Sequence, residues 1–137
     1  MKFETLRPEL QWAVEAAQEK QAVDITVLKL SASVAFAEYF LLCSGQSHPQ
    51  LRAIADAIEE RLDRNGVRVA HCEGKTGAEW MLLDYGRFVV HIFSERAREY
   101  YDLERLWRTA ERWDASSNAD PNAGLTGEAD NQGTAQP

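Results

Sequence analysis

Apolar residues at Leu6, Leu10, Ala13, Val14 and Ala17 recur at the spacing of one helical face, which predicts a helix over residues 8–20. Pro8 suits its first turn, where a missing N–H loses no partner. The period then drops to two. "VDITVLKL" puts Val23, Ile25 and Val27 on one face and Leu28 and Leu30 on the other, the alternation of a strand. "AEYFLLC" is almost continuously apolar, as a strand covered on both faces must be. In "CSGQSHPQLRAIADAIEERLDRNG" a strand passes through a glycine turn into a second helix. There Ser47 and Gln50 have capping-box spacing and Pro49 sits in the first turn. Leu51, Ile54, Ala55, Ile58 and Leu62 form the buried stripe, and Gly66 tolerates the left-handed backbone that ends a helix. "VRVAHC" reads as a third strand, and residues 80–107 supply strands four and five and a terminal helix. This order predicts an α/β fold: a single domain with a mixed five-stranded sheet and packed helices.

Residues 114–137 break the pattern. They hold four acids, no Lys or Arg, and Leu125 as the one large apolar side chain. Such a segment buries too little surface to offset its ordering entropy, so the domain is expected over 1–113 and a disordered acidic tail over 114–137. The tail changes the reading of the net charge of −7. Without it, 15 basic side chains face 18 acidic ones, a near-neutral body with no basic stripe for neutralising phosphates. Sequence-specific nucleic-acid binding is therefore not expected. Arg96, Arg98, Arg105, Arg108 and Arg112 cluster, but acids interleave with them, the pattern of a solvated helix face. No apolar run reaches the ~18 residues of a membrane span, and "MKFETLRPEL" lacks the apolar centre of a secretory signal. Cys43 and Cys72 fit a reduced cytoplasmic setting as buried strand residues.

Catalytic constellations are poorly supported. The turn at residues 44–47, "SGQS", is neither a P-loop nor a dinucleotide fingerprint. It resembles the Gly-x-Ser opening of the nucleotidyltransferase superfamily, yet the carboxylate pair that would hold divalent metals on a following strand is missing; Asp56 and Glu59 lie within a helix. Ser47, Asp84 and His91 follow the order of a hydrolase triad, but outside a Gly-x-Ser-x-Gly elbow and in too short a chain. His71 and Cys72 are adjacent on a strand and point to opposite faces, and no metal-ligand spacing occurs. Neither a metal nor a cofactor is expected.

The aromatics of residues 80–107 remain. A two-residue loop at Tyr85 and Gly86 would set Asp84 opposite Arg87 and Trp80 opposite His91. Met81, Leu83, Phe88 and Val90 then face the core, while Trp80, Leu82, Asp84, Arg87, Val89 and His91 share the other face. A face mixing Trp and Leu with charges suits partner binding; the alternative is that a helix covers it. On the terminal helix, Tyr100, Leu103, Leu106, Trp107 and Ala110 make a stripe expected in the core, with Tyr101 exposed.

"EYFLLCSGQSHPQLRAIADAIEERL", "EGKTGAEWMLLDYGRFVVHIF" and "AREYYDLERLW" together resemble the ribosomal silencing factor family, also called Iojap-related, over roughly residues 10–113. The resemblance implies a nucleotidyltransferase-like fold without the catalytic carboxylates, and no enzyme activity. It also implies a translation repressor that binds the large ribosomal subunit through the ribosomal protein uL-fourteen. Joining of the small subunit would thereby be blocked when nutrients are short. A homodimer when free is implied too. Carried over by position, the family's interface motif falls on Trp80, Leu82, Asp84 and Tyr85, with Tyr100 and Tyr101 nearby. Glu38 stands where the family usually has Asp. The competing reading is a nucleotide-binding or nucleotidyl-transferring enzyme built on the turn at residues 44–47.

Overall fold

Six strands form one mixed sheet in the order β3-β4-β5-β2-β1-β6. A computed structural model describes residues 2–30, 36–74 and 77–115 of the chain. The strands are β1 (Val23–Lys29), β2 (Tyr39–Gly45), β3 (His71–Glu73), β4 (Trp80–Asp84), β5 (Phe88–Ser94) and β6 (Glu111–Asp114). The helices are α1 (Pro8–Glu19), α2 (His48–Arg64), α3 (Glu95–Tyr101) and α4 (Leu103–Leu106). β2 and β5 run parallel at the centre, and the other neighbours are antiparallel. Among the described residues no helix is long and apolar enough to cross a membrane.

α1 and α2 cover one face. Their stripes, Leu10, Val14 and Ala17 with Leu51, Ile54, Ile58 and Leu62, pack with Ile25, Val27, Leu41, Cys43, Met81, Leu83, Val90 and Ile92 of the strands in one buried cluster. A second, smaller cluster lies on the opposite face. There Leu28, Leu30, Leu42, Phe93 and Ala97 are buried, with Phe40, Trp80, Val89, Leu103 and Trp107 packed against them. β2 feeds both clusters, which is why it carries so little polarity. Fully burying a side chain such as Ile58 contributes roughly 1.5–3 kcal/mol.

Four sequence expectations meet the structure here. The sheet has six strands rather than five, because β6 pairs along β1 through Trp113 opposite Val27 and Asp114 opposite Thr26. The third strand begins at His71, leaving residues 67–70 outside it. Cys72 is exposed on that short edge strand, whereas Cys43 is buried, its thiol pushed up to about 12 by burial. The boundary expected after residue 113 meets β6, which includes Asp114; residues 116–137 of the expected tail lie outside the described residues.

Candidate functional site

β4 alternates between buried Met81 and Leu83 and half-buried Trp80, Leu82 and Asp84. Its register with β5 differs from the expected one by two residues: Trp80 lies opposite Phe93, Leu82 opposite His91 and Asp84 opposite Val89. The loop is Gly86 and Arg87, closed by the Tyr85 N–H donating to the Phe88 carbonyl at 2.9 Å. Gly86, at φ 84°, takes a backbone conformation that other residues adopt only under strain. A shift of two leaves every face unchanged, since the side-chain period is also two. Trp80, Leu82, Asp84, Val89 and His91 thus share a face as expected. Arg87 falls in the loop rather than on β5: its guanidinium is 4.0 Å from Glu38, and Asp84 instead accepts from the Gly86 N–H at 2.8 Å.

Tyr85, which the family resemblance groups with Trp80, Leu82 and Asp84, lies off this face. As the residue opposite Phe88 it turns to the helix-covered side, where the two rings stack with centroids 4.9 Å apart. Burial, with Glu59, Cys72 and Asp63 nearby, pushes its hydroxyl well above the usual tyrosine range. The structure therefore groups Trp80, Leu82 and Asp84 and sets Tyr85 on the other side of the sheet.

α3 brings in the tyrosines. Ser94 caps it, accepting from the Ala97 N–H at 3.0 Å and donating to Glu79 at 2.7 Å. The expected single helix breaks at Asp102, whose φ of 48° and ψ of 52° are left-handed. Leu103, Trp107 and Ala110 of the expected stripe pack against the second cluster, but two of its members do not. Tyr100 and Leu106 are 79% and 74% exposed rather than in the core. Tyr101 is exposed as expected, at 46%, with its ring 4.5 Å from that of Trp80, and Tyr100 meets Tyr101 edge-on at 5.0 Å. The three rings run from the sheet to solvent. Tyr100, Tyr101, Asp102, Arg105, Leu106 and Arg108 line a groove of about 750 Å³ beside them. α3 and α4 cover the centre of this face, and the β4 margin stays accessible.

Two residues under this surface escaped the sequence reading. Arg98 was expected on a solvated face but is 8% exposed. It donates to Ser44 at 2.9 Å, to Thr26 at 3.3 Å and to both oxygens of Glu104 at 3.0 Å. Glu104 also accepts from Arg112, Arg112 donates to Asp114, and Asp114 accepts from Thr26 at 2.7 Å. The hydrogen bonds from Arg98 hold the Glu104 carboxyl below its ordinary value against the opposing effect of burial. For Asp114 burial alone would raise the value, and the bonds from Arg112 and Thr26 outweigh it. The second residue is His91, 4% exposed, whose Nδ1 accepts from the Trp80 indole N–H at 3.1 Å. A signal existed: a half-buried indole N–H needs an acceptor, and His91 was placed on its face.

The rival turn lies at the carboxyl ends of β2 and β5. Ser47 caps α2 by accepting from the Gln50 N–H at 3.2 Å. The Gln50 side chain does not close the box on Ser47; it accepts from the Gln46 N–H at 2.6 Å and donates to the Lys20 and Gln21 carbonyls. Gly45 is held tight, since a Cβ there would meet Leu51 at 3.0 Å. A cleft of about 400 Å³ opens beside the turn. Its Glu79 carboxylate takes hydrogen bonds from Ser94 and Arg96 and lies 3.4 Å from the His48 ring, which lowers its pKa. A carboxylate so engaged offers no free pair to a metal, and among the described residues no three His, Cys, Asp or Glu side chains gather to hold one. Ser47, Asp84 and His91 each serve a separate contact, so no triad forms.

The fold and the sequence have counterparts. The family model for "Ribosomal silencing factor during starvation" matches residues 4–136. A ribosomal silencing factor of Bacillus subtilis is 43% identical over 101 residues, 74% of this chain and 86% of that protein. A crystal structure of a Chromobacterium violaceum protein superposes with a TM-score of 0.71 at 30% identity, covering 88% of this chain and 98% of that one. A Bacillus halodurans structure gives 0.64 at 37% identity, over 72% of this chain and 91% of that one. With nearly its whole length matched by the family model and the same fold in its relatives, this chain belongs to the ribosomal silencing factor family.

Proposed function

We propose that this chain represses translation by binding the large ribosomal subunit through the ribosomal protein uL-fourteen, so that the small subunit cannot join. The observation that carries this reading is the aromatic run of Trp80, Tyr101 and Tyr100, with Leu82 and Asp84 at its side, beside a groove that Asp102, Arg105 and Arg108 help to line. Large amphipathic rings beside charged groups are what interface hot spots use. Family membership supplies the ribosomal context. The near-neutral body favours a ribosomal protein over RNA phosphates as the direct contact.

Within this reading Trp80, Leu82, Asp84, Tyr100 and Tyr101 contact the partner, and Tyr85 supports the strand from the far side. The protein works as a regulator rather than an enzyme, in the cytoplasm, and pairs as a homodimer when free. Sedimentation tests the core of it. Purified subunits are mixed with the chain and run on a sucrose gradient; the reading requires fewer joined ribosomes and the chain travelling with the large subunit. Unchanged joining with no chain on the large subunit would end it. Sedimentation equilibrium of the free chain checks the homodimer.

A further inference from the structure

We infer that His91 is the positioning residue for Trp80: its imidazole holds the indole in the orientation that meets Tyr101, and so prepares the surface on which the ribosome reading rests. An indole N–H only donates, so the 3.1 Å contact makes His91 Nδ1 the acceptor and puts the imidazole proton on Nε2. That Nε2 is buried and has no hydrogen-bond partner among the described residues. A buried donor without an acceptor weakens a fold, and an apolar side chain of similar shape would avoid the cost. Stability therefore does not account for a histidine here; the bond to Trp80 does.

The surroundings fit this role. Phe40 meets the imidazole edge-on with centroids 4.6 Å apart, and Phe93 stacks at 6.0 Å, so the ring is held in place. Burial keeps His91 neutral, its pKa lowered to about 4, so Nδ1 stays an acceptor around neutral pH. Trp80 is more exposed, and the last torsion of an indole is broad on its own. The hydrogen bond selects one setting, in which the ring packs on Phe93 at 5.0 Å and on Tyr101 at 4.5 Å. A ring already ordered loses less freedom when a partner closes on it.

Two substitutions of equal shape separate the roles. Asn at position 91 offers a carbonyl oxygen close to where Nδ1 lies, whereas Leu fills the same space without an acceptor. His91→Asn is expected to bind purified large ribosomal subunits nearly as the unsubstituted chain does, and His91→Leu at least tenfold more weakly. His91→Leu is nonetheless expected to melt no lower than His91→Asn. A residue that served only the fold would lose binding and melting temperature together. In ¹⁵N spectra the unsubstituted chain is expected to show the Nε2–H tautomer and a slowly exchanging Trp80 indole proton, the latter kept in His91→Asn and lost in His91→Leu. A proton on Nδ1 in the unsubstituted chain overturns the inference without any variant. So does His91→Leu binding as tightly as the unsubstituted chain. If the unsubstituted chain does not bind the subunits at all, the ribosome reading fails, while the tautomer and the indole exchange still decide the role of His91.

Discussion

Truncating Trp80 removes a ring that both packs inward, against Phe93 and Tyr101, and faces outward. Trp80→Ala is therefore expected to weaken large-subunit binding by about 2 kcal/mol or more, roughly thirtyfold. It is also expected to cost folding stability, by less than the ~3–5 kcal/mol of a fully buried ring. Tyr100 provides the clean comparison. At 79% exposure, Tyr100→Ala changes stability by only about ±0.5 kcal/mol, so thermal melting and a binding isotherm on the same sample isolate its interface role. A large drop in melting temperature would mean that Tyr100 packs in solution. His91 sets a different test. A folded-state pKa lowered from 6.5 to about 4 means that the unfolded chain takes up the proton first as pH falls. Stability from keeping the ring neutral is full above 6.5 and is lost as pH falls through about 4, a change on the order of 2–3 kcal/mol. Melting curves across that interval are expected to slope for the unsubstituted chain and to flatten in His91→Leu.

At the scale of elements, α3, α4 and β6 are tied to the sheet by the chain of contacts from Arg98 through Glu104 and Arg112 to Asp114. Arg98→Met leaves the largely buried Glu104 carboxylate with Arg112 as its remaining partner among the described residues. The loss is expected to fall below the ~3–5 kcal/mol of a fully buried broken pair, because that partner remains. Replacing Glu104 by Met in the same chain is expected to recover part of it. If the double variant melts no higher than the single one, the stranded charge is not the cause. This region is also where the sequence was least legible. β4 and β5 could be sorted into faces because a two-residue shift preserves them. α3 and α4 could not, because one left-handed residue, Asp102, rotates every later position out of the 3.6-residue phase. Asp tolerates that conformation without demanding it, so nothing in "EYYDLERLW" announces the break. Nor does "ERWD" alternate; β6 is a strand because β1 offers it an edge and the core takes Trp113, 4% exposed and 5.5 Å from Phe3. Arg98 was misread because interleaved acids mark a solvated face only while the helix stays straight. The candidate surface itself was largely legible: Trp80, Leu82 and Asp84 fell on one face, and only Tyr85, one residue further along, fell on the other.

For the whole molecule, charge decides which of two chemistries, RNA or protein, the proposed ribosome contact would use. Ribosomal RNA presents phosphates, and a protein that neutralises six to ten of them loses about 10³–10⁵ in affinity between 50 and 200 mM salt, because it gives back the counterions it released. The chain carries a net charge of −7, and its candidate surface combines Tyr100, Tyr101 and Leu106 with both Arg105 and Arg108 and the acids Glu99 and Asp102. Such a surface has no run of cations to follow a phosphate backbone. Contact with a protein patch, driven by aromatic burial and a few charge pairs, responds to salt through screening alone. Affinity for purified large subunits, measured at several salt concentrations, is therefore expected to fall by about tenfold or less over that range, with most of the change in the association rate. A steep logarithmic slope would make RNA the direct contact and displace the ribosomal-protein reading, even if the chain still keeps the subunits apart.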